Sequence, residues 1–468
     1  MVTIQETELK DKGILAVTTA QKLGRPILIS EVHQMDSIDP LSFFNSGRER
    51  YLGERFYWKD PSEEVVLIGI GISKQIQSDQ ATDRFFHVEE EWRNFLKDGL
   101  IFNPFNENGL GPVMFGGFSF DPLKAKTPLW SKYADSLFHV PKFMLTIVKG
   151  QTYLTTNIVC TPNDDYTLLE KVMNERNQLL LLTSAKHDTN VKPAKLLEMK
   201  EISPQQWKQT VDDVVEELKT GSLKKVVLAR ELRLLFDDQV KADVILENLY
   251  NQQRDSFIFV FESNGDCFIG ATPERLVKKQ GENVFSTCLA GSIRRGKNEE
   301  EDIILGQTLL NDQKNINEHG FVVEMIKEAL EESCEEIILP DKPQLMKIRD
   351  IQHLYTPVIG KCQKDASLLL LVERLHPTPA LGGLPKQEAV EKIRQVEELD
   401  RGFYAAPLGW ADYRGNGEFS VSIRSGLIQG KEASLFAGCG VVANSDSENE
   451  YLETSLKFTP MLRALGGK

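Results

Sequence analysis

A short stretch near the C-terminus combines acidic and basic side chains at helical spacing. Glu450, Glu453 and Lys457 stand at positions i, i+3 and i+7, so a helix would project two carboxylates and one ammonium from a single face. Such a face could hold a divalent cation and an anion together. A solvated ion-pair helix has the same pattern. The preceding residues favour a site, because a predicted strand pair carries Arg424 and a glycine-rich bend at 438–440.

Two further residues have side chains suited to acid and base catalysis. Glu274 follows Pro273 at the end of a predicted strand, where a partly apolar corner could keep the carboxyl protonated as a general acid. A glutamate at a helix N-terminus is the alternative. Lys225 shares a predicted strand face with Val227 and Ala229. Its ammonium could extend to solvent, or lie desolvated and serve as a base.

Oxygen and amide groups elsewhere could complete such a site. Glu318, together with Glu450 and Glu453, would form an all-oxygen set that suits magnesium better than zinc, whereas solvated surface carboxylates are the alternative. The small-residue runs at 290–292 and 438–440 offer backbone amides to a carboxylate, or are simply tight turns. The sequence alone leaves these alternatives open.

The composition limits the classes of partner. The chain has 468 residues, 41% hydrophobic and 26% charged, which is typical of a globular enzyme of two or three domains or one large layered domain. A net charge of −14 argues against nucleic acid or an anionic membrane as a partner. No signal peptide or membrane-spanning run is visible, so we expect a cytoplasmic protein. The six cysteines form no C-x-x-C pair, which predicts reduced thiols and no zinc site.

The order of predicted elements indicates how the site is carried. Mixed strands and helices occupy residues 1–195, ending in a polar linker at 184–200, and the candidate residues fall within 196–468. Apolar periodicity predicts a helix at 203–221 that Ser203 caps, and a long helical region at about 299–334 interrupted near 317–320. Strands grouped in hairpins, with helices between them, predict an α+β fold with large antiparallel sheets packed in layers and flanking helices.

The second region resembles the chorismate-utilising enzymes. The resemblance covers about residues 200–465, and the first 190 residues are similar to the longer members that make isochorismate for menaquinone biosynthesis. The motifs that carry it are Lys225-Val226-Val227-Leu228-Ala229-Arg230, Thr272-Pro273-Glu274, Leu289-Ala290-Gly291-Ser292, Ile351-Gln352-His353-Leu354, His376-Pro377-Thr378-Pro379-Ala380-Leu381-Gly382-Gly383, Gly409-Trp410, Ile423-Arg424-Ser425 and Glu450-x-x-Glu453-x-x-x-Lys457.

Within the family, two positions help to separate the reactions. Members that use water keep a lysine at the position of Lys225, whereas anthranilate synthases typically carry glutamine there. The loop that contains Ala380 resembles that of the isochorismate synthases, whereas members that expel pyruvate usually have threonine at this position. The resemblance therefore implies isomerisation of chorismate to isochorismate, without a glutaminase subunit. The alternatives are a salicylate synthase, or an ammonia-using enzyme such as anthranilate synthase component I.

The resemblance also implies a role for each candidate residue. Lys225 would be the base that activates water, and Glu274 the acid that protonates the leaving hydroxyl. Glu318 and Glu453 would bind Mg²⁺ directly, and Glu450 through water. Many members have threonine at the position of Ser292, which keeps the hydroxyl. The remaining residues would bind substrate: Gly291, Ser292, His353, Tyr404, Arg424, Gly438, Cys439, Gly440 and Lys457.

Overall fold

The computed structural model describes residues 6–165, 167–184, 193–363 and 365–467. Its helices are α1 Glu6–Leu23, α2 Pro40–Ser46, α3 Arg84–Leu96, α4 Thr167–Ser184, α5 Pro204–Thr220, α6 Ala242–Gln252, α7 Glu299–Asn311, α8 Gln313–Glu331, α9 Leu368–Leu375, α10 Lys386–Val396 and α11 Ser447–Ala464. None of these helices is both long enough and apolar enough to cross a membrane.

The strands all belong to one hydrogen-bonded network. They are β1 Ile27–Met35, β2 Arg55–Lys59, β3 Val65–Ser78, β4 Leu100–Phe102, β5 Val113–Phe118, β6 Ser136–Val148, β7 Gln151–Cys160, β8 Leu196–Glu201, β9 Lys225–Phe236, β10 Phe257–Ser263, β11 Asp266–Thr272, β12 Arg275–Gln280, β13 Asn283–Arg294, β14 Cys334–Ile338, β15 Gln344–Lys347, β16 Ile351–Cys362, β17 Gly383–Leu384, β18 Pro407–Asp412, β19 Gly417–Val421, β20 Ser425–Gln429 and β21 Glu432–Val441.

The central strands are buried on both faces, which produces a layered architecture. In β10, Phe257, Phe259 and Phe261 pack into one hydrophobic core, whereas Ile258 and Val260 pack into a second core on the other face. This alternation follows from the two-residue period of a strand. Apart from β1 with β4, the described strand pairs are antiparallel. The predicted α+β fold with layered antiparallel sheets and flanking helices is confirmed.

Strands from the first 195 residues pair directly with strands of the second region. β2 pairs with β10, and β5 pairs with β18. The predicted division at residue 195 stays a prediction. The predicted linker is wrong in its last part, because Leu196–Glu201 forms β8 and pairs with β9. Residues 185–192 of that linker lie outside the described residues.

Helix positions were predicted better than helix ends. α5 begins at Pro204 as expected, but Ser203 adopts a left-handed conformation (φ 46°) and its side chain makes no capping hydrogen bond. The predicted interruption at 317–320 is wrong. The helix breaks instead at Asp312, whose side chain caps α8 by accepting a hydrogen bond from the Asn315 amide. Glu318 therefore lies within a continuous helix.

The sheet brings two of the cysteines together, which no local pattern predicted. Cys334 and Cys362 are cross-strand partners in β14 and β16, and their sulfur atoms are in contact. The pairing joins residues 28 positions apart, so only the strand register brings them together. The other cysteines are free and buried: Cys160, Cys267, Cys288 and Cys439. The expectation of reduced thiols stays a prediction.

Candidate active site

One polar cavity of about 270 Å³ collects nearly all of the predicted site residues. It lies where β9, β13, β21, α8 and α11 meet. Cys439 is the one predicted residue that does not line it. The others do: Lys225, Glu274, Gly291, Ser292, Glu318, His353, Tyr404, Arg424, Gly438, Gly440, Glu450, Glu453 and Lys457.

Lys225 is placed at the cavity wall by the pairing of β9. It is the first residue of the strand and is only 7% exposed. Its ammonium donates to a carboxylate oxygen of Glu318 on α8. A Cβ atom at Gly440 would lie 2.6 Å from Lys225 Cε. Lys225 is therefore buried and does not extend to solvent, and a glycine at position 440 leaves room for its side chain. Its role as a base stays a prediction.

The acidic helix face predicted at the C-terminus is one wall of the cavity. Glu450, Glu453 and Lys457 all line it from α11. The Lys457 ammonium donates to the Gly438 carbonyl at 2.9 Å and pairs with Glu453. This ammonium lowers the pKa of Glu453. The alternative of a wholly solvated ion-pair helix is therefore wrong.

The glycine-rich run at 438–440 is a strand and not the predicted bend. It continues β21 and pairs with β9. On β9, Val227 and Ala229 direct their amides to Gly382 and Glu397, away from β21. In an antiparallel ladder, Leu228 between them must then exchange hydrogen bonds with Cys439.

The alternation of hydrogen-bonding directions along the β9–β21 ladder decides which backbone amides of residues 438–440 face the cavity. The Cys439 amide, which was predicted to bind substrate, is used by the sheet, and its buried thiol contacts Glu450 without lining the cavity. Gly438 and Gly440 direct their backbone groups to the open edge of β21. They are the two positions that can present amides to a carboxylate.

Glu274 is a buried carboxyl facing the cavity. It follows β11 and is 5% exposed. Burial raises its pKa to about 7, although the positive charges of Arg424, Lys225 and Lys457 act in the opposite direction. A carboxyl with this pKa is partly protonated at neutral pH and can donate a proton. The helix N-terminus alternative is wrong, because β12 follows directly.

Arg424 is held in a conformation that points to a ligand. Its φ is 53°, which is unfavourable for a residue with a Cβ. It is 8% exposed and lines the cavity, and among the described residues its guanidinium has no hydrogen-bond or ion-pair partner. Burial lowers its pKa. A buried guanidinium with free donors favours a carboxylate ligand. Beside it, burial raises the pKa of Tyr404, so this phenol stays protonated and can donate.

A β-bulge shapes the wall formed by Ala290, Gly291 and Ser292. The β13–β16 register shifts just before Ser292, and Gly291 has a φ of 85°, which favours glycine. Ser292 Oγ and His353 Nδ1 lie 2.8 Å apart. Burial lowers the pKa of His353 to about 3, so its imidazole is neutral. The bulge and the serine–histidine pair therefore present neutral polar groups to the cavity.

Three polar lining residues were not predicted as site residues: Lys314, Asn315 and Arg401. Lys314 and Asn315 stand four and three positions before Glu318 on α8, and helical spacing places them on its face. The wrongly predicted break at 317–320 concealed this relation. Arg401 lies three residues before Tyr404, within the stretch Asp400-Arg401-Gly402, and no local pattern distinguished it from a surface arginine.

The acidic lining has the chemistry, but not a preformed geometry, for magnesium. Glu318, Glu450 and Glu453 supply hard oxygen donors. Within the described part of the chain, no three His, Cys, Asp or Glu side chains form a metal-binding group. Burial and the nearby Glu453 raise the pKa of Glu450, which is the repulsion that a bound cation relieves. The donor set fits Mg²⁺, and the assignment of ligands stays a prediction.

Comparison with known proteins identifies the family. Residues 15–466 match the family model described as chorismate binding enzyme. The chain is 42% identical to the isochorismate synthase MenF of Bacillus subtilis over the full length of both. It is 35% identical to the salicylate biosynthesis isochorismate synthase of Pseudomonas aeruginosa, covering 97% of this chain and 94% of that relative.

A solved structure extends the comparison to the fold. The structure of MenF, the menaquinone-specific isochorismate synthase from Escherichia coli, matches with a TM-score of 0.78, covering 96% of this chain and 99% of that chain. At 22% identity this likeness concerns the fold. Because the family model spans nearly the whole chain, and a relative with 42% identity is matched from end to end, the chain belongs to the chorismate-binding enzyme family.

Proposed function

We propose that the protein is an isomerase, an isochorismate synthase that converts chorismate to isochorismate by adding water at C2 and releasing the C4 hydroxyl. The observation that carries this proposal is the placement of buried Lys225 and Glu274 on one cavity that is also lined by Arg424, whose guanidinium has no partner among the described residues. The full-length likeness to isochorismate synthases supports it. A role in menaquinone biosynthesis is part of the proposal, and the end-to-end likeness to the isochorismate synthase MenF of Bacillus subtilis supports it.

Two negative charges of the substrate must be compensated before water can attack. Chorismate carries a ring carboxylate and an enolpyruvyl carboxylate. Arg424 can receive one of them through paired N–H donors, with the Tyr404 hydroxyl and the amides of Gly438 and Gly440 beside it. Lys457 adds a further cation at the same wall. These groups hold the ring between Lys225 and Glu274, so that the reacting atoms are already close and correctly oriented when substrate is bound.

The chemical step moves two protons. Water adds its oxygen to C2 while Lys225 Nζ accepts one of its protons. The ring double bonds shift, and the bond between C4 and its hydroxyl oxygen breaks. Glu274 donates a proton to that oxygen, which leaves as water. One water enters and one leaves, so substrate and product are isomers, and the same groups serve the reverse reaction with exchanged roles.

Magnesium is proposed as the cofactor, with Glu318 and Glu453 as direct ligands and Glu450 acting through water. A bound Mg²⁺ would neutralise the ring carboxylate and would replace the lysines as the partner of the acidic residues. The proposal is supported by the hard oxygen donors that line the cavity and by the raised pKa of Glu450.

Product analysis tests the proposed function. Purified protein incubated with chorismate and Mg²⁺ is expected to give isochorismate, and incubation with isochorismate is expected to give chorismate. Chromatography with absorbance detection distinguishes the two. Salicylate with pyruvate would indicate a salicylate synthase instead, and an ammonia-dependent aromatic amine would indicate an amine-forming member. Binding of chorismate without any product would contradict an enzymatic function.

Removal of the metal is expected to abolish turnover. EDTA should stop isochorismate formation, and added Mg²⁺ should restore it. Glu453→Gln removes a proposed ligand, so the magnesium concentration for half-maximal rate should rise at least about tenfold. Glu448→Gln is the matched control, because Glu448 is exposed on the same helix and pairs with Lys208. Full activity in EDTA would contradict the magnesium proposal.

The pH dependence is expected to report the titration of Glu274. A general acid must be protonated, so kcat/KM should fall as the pH rises through about 7, the pKa to which burial raises this carboxyl. Lys457 is one of the cations that lower this pKa. Lys457→Met should therefore move the alkaline limb of the plot of kcat/KM against pH to higher pH, even if it also lowers the maximum of kcat/KM. A limb that stays fixed or moves to lower pH would contradict the assignment.

A further inference from the structure

We infer that Glu397 and Arg401 form a positioning pair that fixes three segments of the active-site wall: β9, the loop at 380–382 and the segment at 397–404. Turnover then depends on the planar fork of Arg401, which is the set of N–H donors on its guanidinium, and not only on its positive charge. The inference rests on the proposed function, because it concerns the placement of the base Lys225. Neither residue was singled out by its local sequence pattern.

Glu397 links the end of α10 to β9. Its Oε1 accepts a hydrogen bond from the Ala229 amide at 2.7 Å. The same carboxylate receives Arg401 in a two-point contact, with Nε donating to Oε2 at 2.8 Å and Nη2 donating to Oε1. Both side chains are 3% exposed. A buried charge pair of this kind stays in place because all of its polar atoms have partners.

Arg401 makes a second contact with β9 and extends the connection to the loop that contains Leu381. Its Nη2 donates to the Val227 carbonyl at 2.7 Å, and its Nη1 donates to the Leu381 carbonyl at 3.1 Å. The guanidinium lies 4.2 Å from the ring centre of Phe120, which fixes its plane. The amide of Val227 in turn donates to the Gly382 carbonyl at 2.8 Å.

Each of the connected segments supplies a wall of the cavity. β9 carries Lys225 two residues before Val227. The loop between α9 and β17 contributes Ala380 and Leu381, and Tyr404 follows Arg401 by three residues. Loss of the fork would leave two backbone carbonyls without their donor and would let these walls shift relative to one another. A displacement of about 1 Å at a reacting group can cost about 100-fold in rate.

The contacts of Arg401 separate positioning from substrate binding. Four of its five N–H groups are used by Glu397 and by backbone carbonyls, and its charge is balanced by Glu397. Arg424, which has no such partners among the described residues, is the arginine free to bind a carboxylate. Removing the fork of Arg401 should therefore affect kcat more than KM.

The test compares two arginines in closely matched surroundings. Arg55 is also buried, contacts Glu262 with Nε at 3.0 Å and Nη2 at 2.6 Å, donates to the Phe44 carbonyl at 3.1 Å, and lies 4.2 Å from the ring centre of Phe44. It does not line the cavity. Arg401→Lys and Arg55→Lys each keep the charge and lose the planar fork, so both should lower the melting temperature.

Only Arg401→Lys is expected to lower kcat for chorismate, by about 10- to 100-fold, with KM within about threefold of the wild type. Assays run well below both melting temperatures. Glu397→Gln is a second variant in case Arg401→Lys does not fold, since its amide oxygen can still accept from Ala229, and it should show the same division between kcat and KM.

Three results would overturn the inference. These are a kcat of Arg401→Lys within twofold of the wild type, an equal loss of kcat in Arg55→Lys, or a raised KM with unchanged kcat, which would make Arg401 a substrate ligand. Wild-type protein without any turnover of chorismate would instead overturn the proposed function, so the two failures are distinguishable.

Discussion

Glu274→Gln is expected to lower kcat for chorismate by about 10²- to 10⁴-fold and to leave chorismate binding within about threefold, because a general acid contributes a factor of that size. Glutamine has nearly the shape of glutamic acid but no acidic proton. Burial raises the pKa of Glu274 to about 7, so the folded protein already accommodates a neutral side chain at this position. The fold and the anion-binding groups should therefore be unaffected.

The measurement combines steady-state kinetics with equilibrium binding of chorismate. Asp412→Asn is a suitable control, since burial also raises the pKa of Asp412 and this residue lies at the end of β18, outside the cavity. The control should retain the wild-type kcat even where its stability falls. Ordinary turnover in Glu274→Gln would show that another group protonates the leaving hydroxyl.

Lys225→Gln is expected to reduce kcat by a similar factor of about 10²- to 10⁴-fold, because the substituted amide cannot accept a proton from water. The partner of Lys225, Glu318, has a side chain that is 26% exposed. It can be hydrated when the ion pair is lost, so a folding defect is not expected. Isochorismate formation measured by chromatography gives the rate.

Lys224→Gln is the matched control for this change. Lys224 precedes the base by one residue, and it is exposed where Lys225 is buried. The same substitution should leave kcat unchanged. If Lys225→Gln turned over chorismate as fast as Lys224→Gln, the base would have to be sought among the other lining residues, and the proposed proton transfer would be wrong.

Local sequence patterns predicted most of the elements that carry the site. The apolar period predicted α5, which begins at Pro204 as expected. The patterns failed where two local preferences competed. The interruption predicted at 317–320 includes Gly320, but a glycine within a helix costs only about 1 kcal/mol. Asp312 provides the stronger signal, because its side chain caps α8.

The residues of the candidate site were predicted from sequence motifs, because the sequence does not show which of these residues lie close together in space. Lys225 and Glu318 are 93 residues apart in sequence, and no local pattern relates them. Their contact depends on the pairing of β9 and on the packing of α8 against β13. The roles of catalytic and metal-binding residues stay predictions, because the structure shows where the side chains lie and kinetics must show what they do.

By itself, the sequence determined the spacing of Glu450, Glu453 and Lys457 on one helix face, because that spacing depends only on the period of a helix. The tertiary structure decided that this face lines a cavity and that Cys439 is excluded from it, because the phase of the β9–β21 ladder alternates the direction of backbone groups. It also decided that Arg401 is bound by Glu397, whereas Arg424 has no such partner in the part of the chain that the structure describes. The partners of a buried charge are set by long-range packing, which no local pattern records.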